Sequence, residues 1–174
     1  MWKIYHGCVH TNLILRHCVR DIDGPYRSFL TEEETLTHYF ITCPRIMDFW
    51  NRVTNFLKLI SNDTILNPPT IDADFILKKF PNLEEIPNIK IYHAQALWQI
   101  YRAHTELALE GINHSSLILF TRWKSEMIRH IRQVFYIARR DDKLDKFAVK
   151  WTEPTCQWII FDPGGKEATF QSPS

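Results

Sequence analysis

SSLILFTRWKSEMIRHIRQVFYIARR, Ser115 to Arg140, decides the fold class. Phe120, Trp123, Met127, Ile131, Val134 and Ala138 recur in it at steps of three and four residues. That repeat places side chains on one face of an α-helix. Ser115 or Ser116 supplies a hydroxyl to cap the first turn, and the helix is expected to run to about Arg140. Arg122, Arg129, Arg132 and Arg140 fall on the opposite side, joined by Tyr136 and interrupted only by Glu126. The expectation is a helix that fills a core with one side and shows cations on the other.

Two further helices follow from the same periodicity. From Arg45 to Ile60 the apolar positions Ile46, Phe49, Trp50, Val53, Phe56, Leu57 and Ile60 trace one face, and Pro44 is placed to open the helix at its first position. The run stops at SNDTILNPPT, Ser61 to Thr70, where Asn62-Asp63 and Pro68-Pro69 break helical geometry. Ile71 to Phe80 reads as a short helix started by Asp72 or Asp74, with Pro81 and Pro87 bounding an irregular stretch. Asn88 is placed to cap a long helix from Ile89 to Glu110, with Gly111 just past its last turn. Ile89, Ala96, Ile100, His104 and Leu107 share one side of it, while Ile91, Trp98, Tyr101 and Leu109 lie well round the cylinder. Apolar residues on two sides predict a central position.

The character changes near the end. KFAVKW, Lys146 to Trp151, and CQWIIF, Cys156 to Phe161, are aromatic and β-branched, and they read as the two strands of a hairpin. Pro163-Gly164-Gly165 closes it, and residues 163–174 read as a frayed tail. The fold class expected is mainly α, a helical domain with a small C-terminal β hairpin.

A chain of 174 residues with 45% hydrophobic and 13% aromatic content is long and apolar enough to bury a core. The net charge of +1 excludes wholesale attraction to nucleic acid or acidic lipid, so any such contact has to come from a local patch. Cys8, Cys18, Cys43 and Cys156 accompany an N-terminus without a signal-peptide core. An intracellular compartment, cytoplasmic or nuclear, is therefore expected rather than a disulfide framework. No apolar run reaches the roughly 18 residues that cross a bilayer, so no membrane partner is expected.

TEEETLTHYFITCPRIMDFW, Thr31 to Trp50, packs several signals together. Thr31 with Glu34 reads as a capping box, His38 and Cys43 form a His-x4-Cys pair, and Pro44 opens the aromatic helix. With WKIYHGCVHTNLILRH (Trp2 to His17) and ALWQIYRAH (Ala96 to His104), this order resembles a region of LINE-type (non-LTR) retrotransposons. That region is the zinc-binding C-terminal part that follows their reverse transcriptase. The resemblance runs loosely from Trp2 to Trp158. It implies a domain division into a degenerate zinc-binding-like region at 1–60, a linker at 61–87, two long helices with a hairpin at 88–162, and a tail at 163–174. A chain of this pattern looks like a piece of a longer ancestor.

The same resemblance implies zinc, held by a Cys-x2-Cys pair together with His38 and Cys43. At the expected spacing the first two positions are Arg27 and Leu30, so the ligand set is incomplete. Two ligands cannot close the tetrahedron of a structural zinc site, and Arg27 puts a positive charge where a thiolate belongs. Cys18, His17, Cys8, His6 and His10 lie upstream, but nothing in their spacing selects them. His6, Cys8 and His10 share a side only in an extended segment. Cys43 and His38 then read as vestigial ligands, or as a small buried hydrophobe and a packing histidine. His93 and His104 are eleven residues apart, about 16 Å along a helix, which is too far to share one ion.

Catalytic patterns are missing from the sequence. It has no Gly-rich phosphate loop and no Gly-x-Ser-x-Gly elbow. Asp141-Asp142 follows Arg139 where a polymerase palm motif wants an aromatic residue two positions before the pair. A non-enzymatic domain is expected, with RNA or DNA as the partner of Arg122, Arg129, Arg132, Tyr136 and Arg140. The rival expectations are a helical protein-interaction module, its partner unknown, and a decayed transposon reading frame without selected function.

Overall fold

The computed structural model describes residues 35–60, 88–151, 159–161 and 168–170. The expectations at Thr31 and Glu34, at Arg27 and Leu30, at the upstream histidines and cysteines, and from Ser61 to Pro87 lie outside these residues. The described elements are a π-helical segment, His38–Thr42; four α-helices, α1 (Pro44–Ile60), α2 (Ile89–Glu110), α3 (Ser116–Arg140) and α4 (Leu144–Trp151); and two strands, β1 (Ile159–Phe161) and β2 (Ala168–Phe170). The chain is mainly α with a small antiparallel pair of strands near its C-terminus. Among the described residues no helix is long and apolar enough to cross a membrane.

The helix ends show how local chemistry sets them. Thr35 starts the first turn: its Oγ1 accepts the His38 N–H at 3.0 Å and its carbonyl accepts the Tyr39 N–H at 2.9 Å. Ser115 caps α3 in the same way, its Oγ accepting the Ile118 N–H at 3.4 Å. Gly111 ends α2 in the left-handed region, φ 71°, which suits a residue without Cβ. Asn88 holds the N-cap position of α2 but not by the expected side-chain bond. Its backbone is left-handed, φ 66°, and its Nδ2 donates across the fold to Lys150 O at 2.7 Å. Asp141-Asp142 is the turn that ends α3, with Asp142 at φ 52° and the Lys143 N–H reaching Ala138 O at 2.7 Å.

α3 is the backbone of the core. Leu119, Trp123, Met127, Ile131, Phe135 and Ala138 are buried, while Phe120 and Val134 are only partly covered. α1 packs on the first half of α3, where Phe56 meets Trp123 edge-on at 5.5 Å between ring centroids. α2 packs beside them, and Trp123 Nε1 donates to Tyr92 O at 3.1 Å, which pairs the one polar atom of a buried indole. The π-helical segment wedges against α1 and α2. Its wider winding buries four consecutive residues, His38 to Ile41, and Trp50 Nε1 donates back to Phe40 O at 2.8 Å.

Two expectations need correction. α2 buries one broad face, including Ile89, Tyr92, Ala96, Leu97, Ile100 and Ala103. Trp98 and Leu109, on its other side, are exposed. It is flanked rather than surrounded.

The second correction concerns the C-terminal segment. Lys146–Trp151 is not a strand but the body of α4. Leu144, Phe147 and Trp151 fall three and four residues apart, and Phe147 and Trp151 are buried, the first against Phe135 at 5.4 Å. A strand would have placed Val149 on the same side as Phe147 and Trp151, yet Val149 is 66% exposed. The partner of β1 comes from the segment expected to fray. β2 pairs with β1 antiparallel, Ile159 opposite Phe170, and Phe170 packs edge-on against Phe135 at 5.7 Å. Pro163-Gly164-Gly165 thus lies between the strands instead of after them.

Candidate nucleic-acid interface

The cationic side of α3 divides into two halves with different surroundings. Arg129, Arg132, Tyr136 and Arg140 follow one another at steps of three, four and four residues, a straight row along the last turns of the helix. All four are exposed. Arg129 Nε donates to Glu126 Oε2 at 2.8 Å, and Arg140 Nε to Asp141 Oδ1 at 2.9 Å. The two arginine side chains are 67% and 75% exposed, so both pairs stand at the water boundary. Arg132 is held differently, its guanidinium lying 5.1 Å from the centroid of the Phe170 ring on β2. Tyr136, 56% exposed, leans edge-on against buried Phe135 at 5.5 Å.

Arg122 does not belong to that row. It lies in the first half of α3, its side chain is only 34% exposed, and its Nη1 donates to Glu106 Oε2 of α2 at 2.7 Å. Glu106 also takes Arg102 Nε at 2.7 Å, and His114 Nε2 lies 2.6 Å from its Oε2. The Arg122 hydrogen bond is the largest cause holding the Glu106 carboxyl down to about 2, from an ordinary 4.5; partial burial opposes it, and Arg102 and His114 reinforce it. This carboxylate ties α2, the loop Gly111–Ser115 and α3 together. The same corner is braced from α1, where Arg45 reaches Asn113 and His114 O and Asp48 accepts from Ser116. The Ser116 hydroxyl and then Arg52 hold the Asp48 carboxyl below its usual value.

α4 brings further cations close to α3. As a helix, the 144–151 segment shows Lys146 and Lys150 one turn apart on its exposed side. Lys150 stands close enough to His130 of α3 to help depress its pKa, behind burial as the larger cause. The signal was legible: Leu144, Phe147 and Trp151 at helical spacing, Asp145 in the first turn and Lys150 in the last.

The residues expected as vestigial metal ligands are in the core. Cys43 and His38 are both buried, and their backbones join through the Cys43 N–H and His38 O at 3.1 Å. His104 stacks on Tyr39 at 3.8 Å, and His93 stacks on Trp50 at 5.8 Å. Among the described residues no group of three or more His, Cys, Asp or Glu side chains is placed to hold a metal ion. Against protein-family models, curated proteins and solved structures, the chain has no match.

Proposed function

We propose that this chain is a non-enzymatic helical domain that holds RNA or DNA through the row Arg129, Arg132, Tyr136 and Arg140. Its derivation from the C-terminal region of a LINE-type reverse transcriptase rests on the residue pattern from Trp2 to Trp158. Function does not depend on zinc in this reading, because Arg27 and Leu30 stand at two of the expected ligand positions.

One observation carries the proposal: the cations of the row are exposed, and their acidic partners are partly exposed neighbours on the same helix or its end turn. Such pairs hold their members weakly in water. A phosphate offers a guanidinium two parallel charge-assisted bonds and displaces a lone surface carboxylate. Arg122, already engaged by Glu106, is the least available member of the expected set.

The test is salt-dependent binding of labelled RNA and DNA to the wild-type chain and to a triple variant, Arg129→Gln, Arg132→Gln and Arg140→Gln. Binding should weaken for both polymers, and the slope of log affinity against log salt should fall by about 0.7–0.9 for each phosphate no longer neutralised. Absence of wild-type binding even at low ionic strength overturns the proposal.

A protein-interaction module is the second reading, and the exposed Trp98 favours it. That ring stacks on Tyr101 at 5.7 Å on the outer side of α2, with Leu109 and Ile112 exposed further along. Binding of this kind buries apolar surface and is insensitive to salt.

A further inference from the structure

We infer that the α3 row is a site for single-stranded nucleic acid, with Tyr136 as the platform on which an unpaired base stacks. The inference deepens the nucleic-acid reading and rests on it. Arg132 lies one turn before Tyr136 and Arg140 one turn after, about 6 Å away along the axis in each direction. An aromatic ring flanked by cations matches the repeating unit of a single strand, in which each base is flanked by two phosphates.

A duplex uses such a row differently. Its bases are stacked inside, so a ring on a helix surface reaches no base face, and only the arginines contribute. In a single strand every base has a free π-face, and stacking adds to the phosphate contacts without demanding a particular base.

The ring is also prepared for this use. Its edge rests on Phe135, which is itself locked between Phe147 and Phe170, so the platform has a buried foundation and an exposed ring. Arg132 is likewise seated, over Phe170, while remaining exposed. Both anchors come from the C-terminal strands and α4. The helix dipole accounts for Arg139 and Arg140 at the end of α3 without any ligand. It does not account for a large aromatic ring set in solvent between two cations.

The experiment measures binding of roughly 20-nucleotide oligo-dT and oligo-U, and of a duplex of the same length, by fluorescence anisotropy at fixed salt. It compares wild type with Tyr136→Phe, Tyr136→Leu and Tyr136→Ala. Wild type should prefer the single strands. Tyr136→Leu and Tyr136→Ala should lose about 5- to 100-fold on single strands and little on the duplex, while Tyr136→Phe keeps the affinity. Unchanged melting curves show that the variants remain folded, as an exposed position allows.

If all Tyr136 variants bind both forms like wild type while the triple arginine variant binds neither, the single-strand inference falls and the nucleic-acid reading stands. If wild type binds neither form, both fall. Displacement of the oligomers by polyglutamate at equal charge concentration would overturn both as well, assigning the row to acidic protein.

Discussion

Glu106 of α2 accepts a hydrogen bond from Arg122 of α3 at 2.7 Å, pinning to a neighbouring helix an arginine that helical periodicity assigns to the solvent side. With Arg102 and His114 on the same carboxylate, one acidic side chain fixes the corner between the two longest helices.

Glu106→Gln should therefore destabilise the fold by about 1–2 kcal/mol, since charge-assisted bonds become neutral ones around cations that stay in place. Arg122→Gln should also cost stability, unlike Arg129→Gln. The Glu106 carboxyl is held near 2 against an ordinary 4.5, so its contribution is fully present above about pH 4.5 and is lost as pH falls toward 2. Urea unfolding at several pH values checks both points. Equal midpoints for wild type and Glu106→Gln at pH 7 would show that the cluster contributes nothing net.

Trp123 and Met127 are fully buried at the centre of α3. Trp123→Ala or Met127→Ala should cost about 2–5 kcal/mol, through lost burial plus the cavity left behind. Trp123→Phe should cost less in volume but leave Tyr92 O without the indole donor. Chemical denaturation gives these values directly, and an unchanged midpoint for either alanine variant would contradict the packing of this face.

Asn88 combines a left-handed backbone with a side-chain bond to Lys150 O. Asn88→Gly keeps the backbone geometry and loses only the bond, whereas Asn88→Ala loses the bond and adds about 1–2 kcal/mol of left-handed strain. The order of melting temperatures should be wild type, Gly, then Ala. Ala equal to or above Gly would rule out the left-handed cap.

Burial holds the His104 imidazole down to about 3 and the His93 imidazole to about 4, from an ordinary 6.5. Repulsion from Arg45 and His38 adds to burial at His104, against a hydrogen bond with the Tyr39 backbone. Between pH 6.5 and these values the unfolded chain binds protons that the folded chain excludes, so stability rises with pH across that window. It should be fully present above about pH 6.5 and fall progressively toward pH 4. Replacing His104 by Phe should flatten part of that slope. A denaturation midpoint constant from pH 7 to pH 4 would mean that both rings are accessible to protons.

The helices were readable in the sequence wherever their signals are local. Pro44 opens α1, Gly111 ends α2 and Ser115 caps α3, because a cap or a breaker acts on groups within one turn of itself. The stripe of Trp123, Met127 and Ile131 was equally plain, since helical periodicity needs no partner to be recognised. Tertiary structure decided the rest. KFAVKW carries residues that suit either period, and packing decides between them by burying Phe147 against Phe135 and Trp151 against Tyr92 while Val149 stays exposed. β2 exists because Phe170 pairs with Ile159 and its ring packs on Phe135, a contact that no local signal announces. The candidate site divides along the same line. The row from Arg129 to Arg140 follows from spacing alone, but which arginine stays available depends on where an acidic side chain of another helix lies, and Glu106 is sixteen residues from Arg122 in the chain. Periodicity assigns a residue to a face, and only packing determines what that face meets.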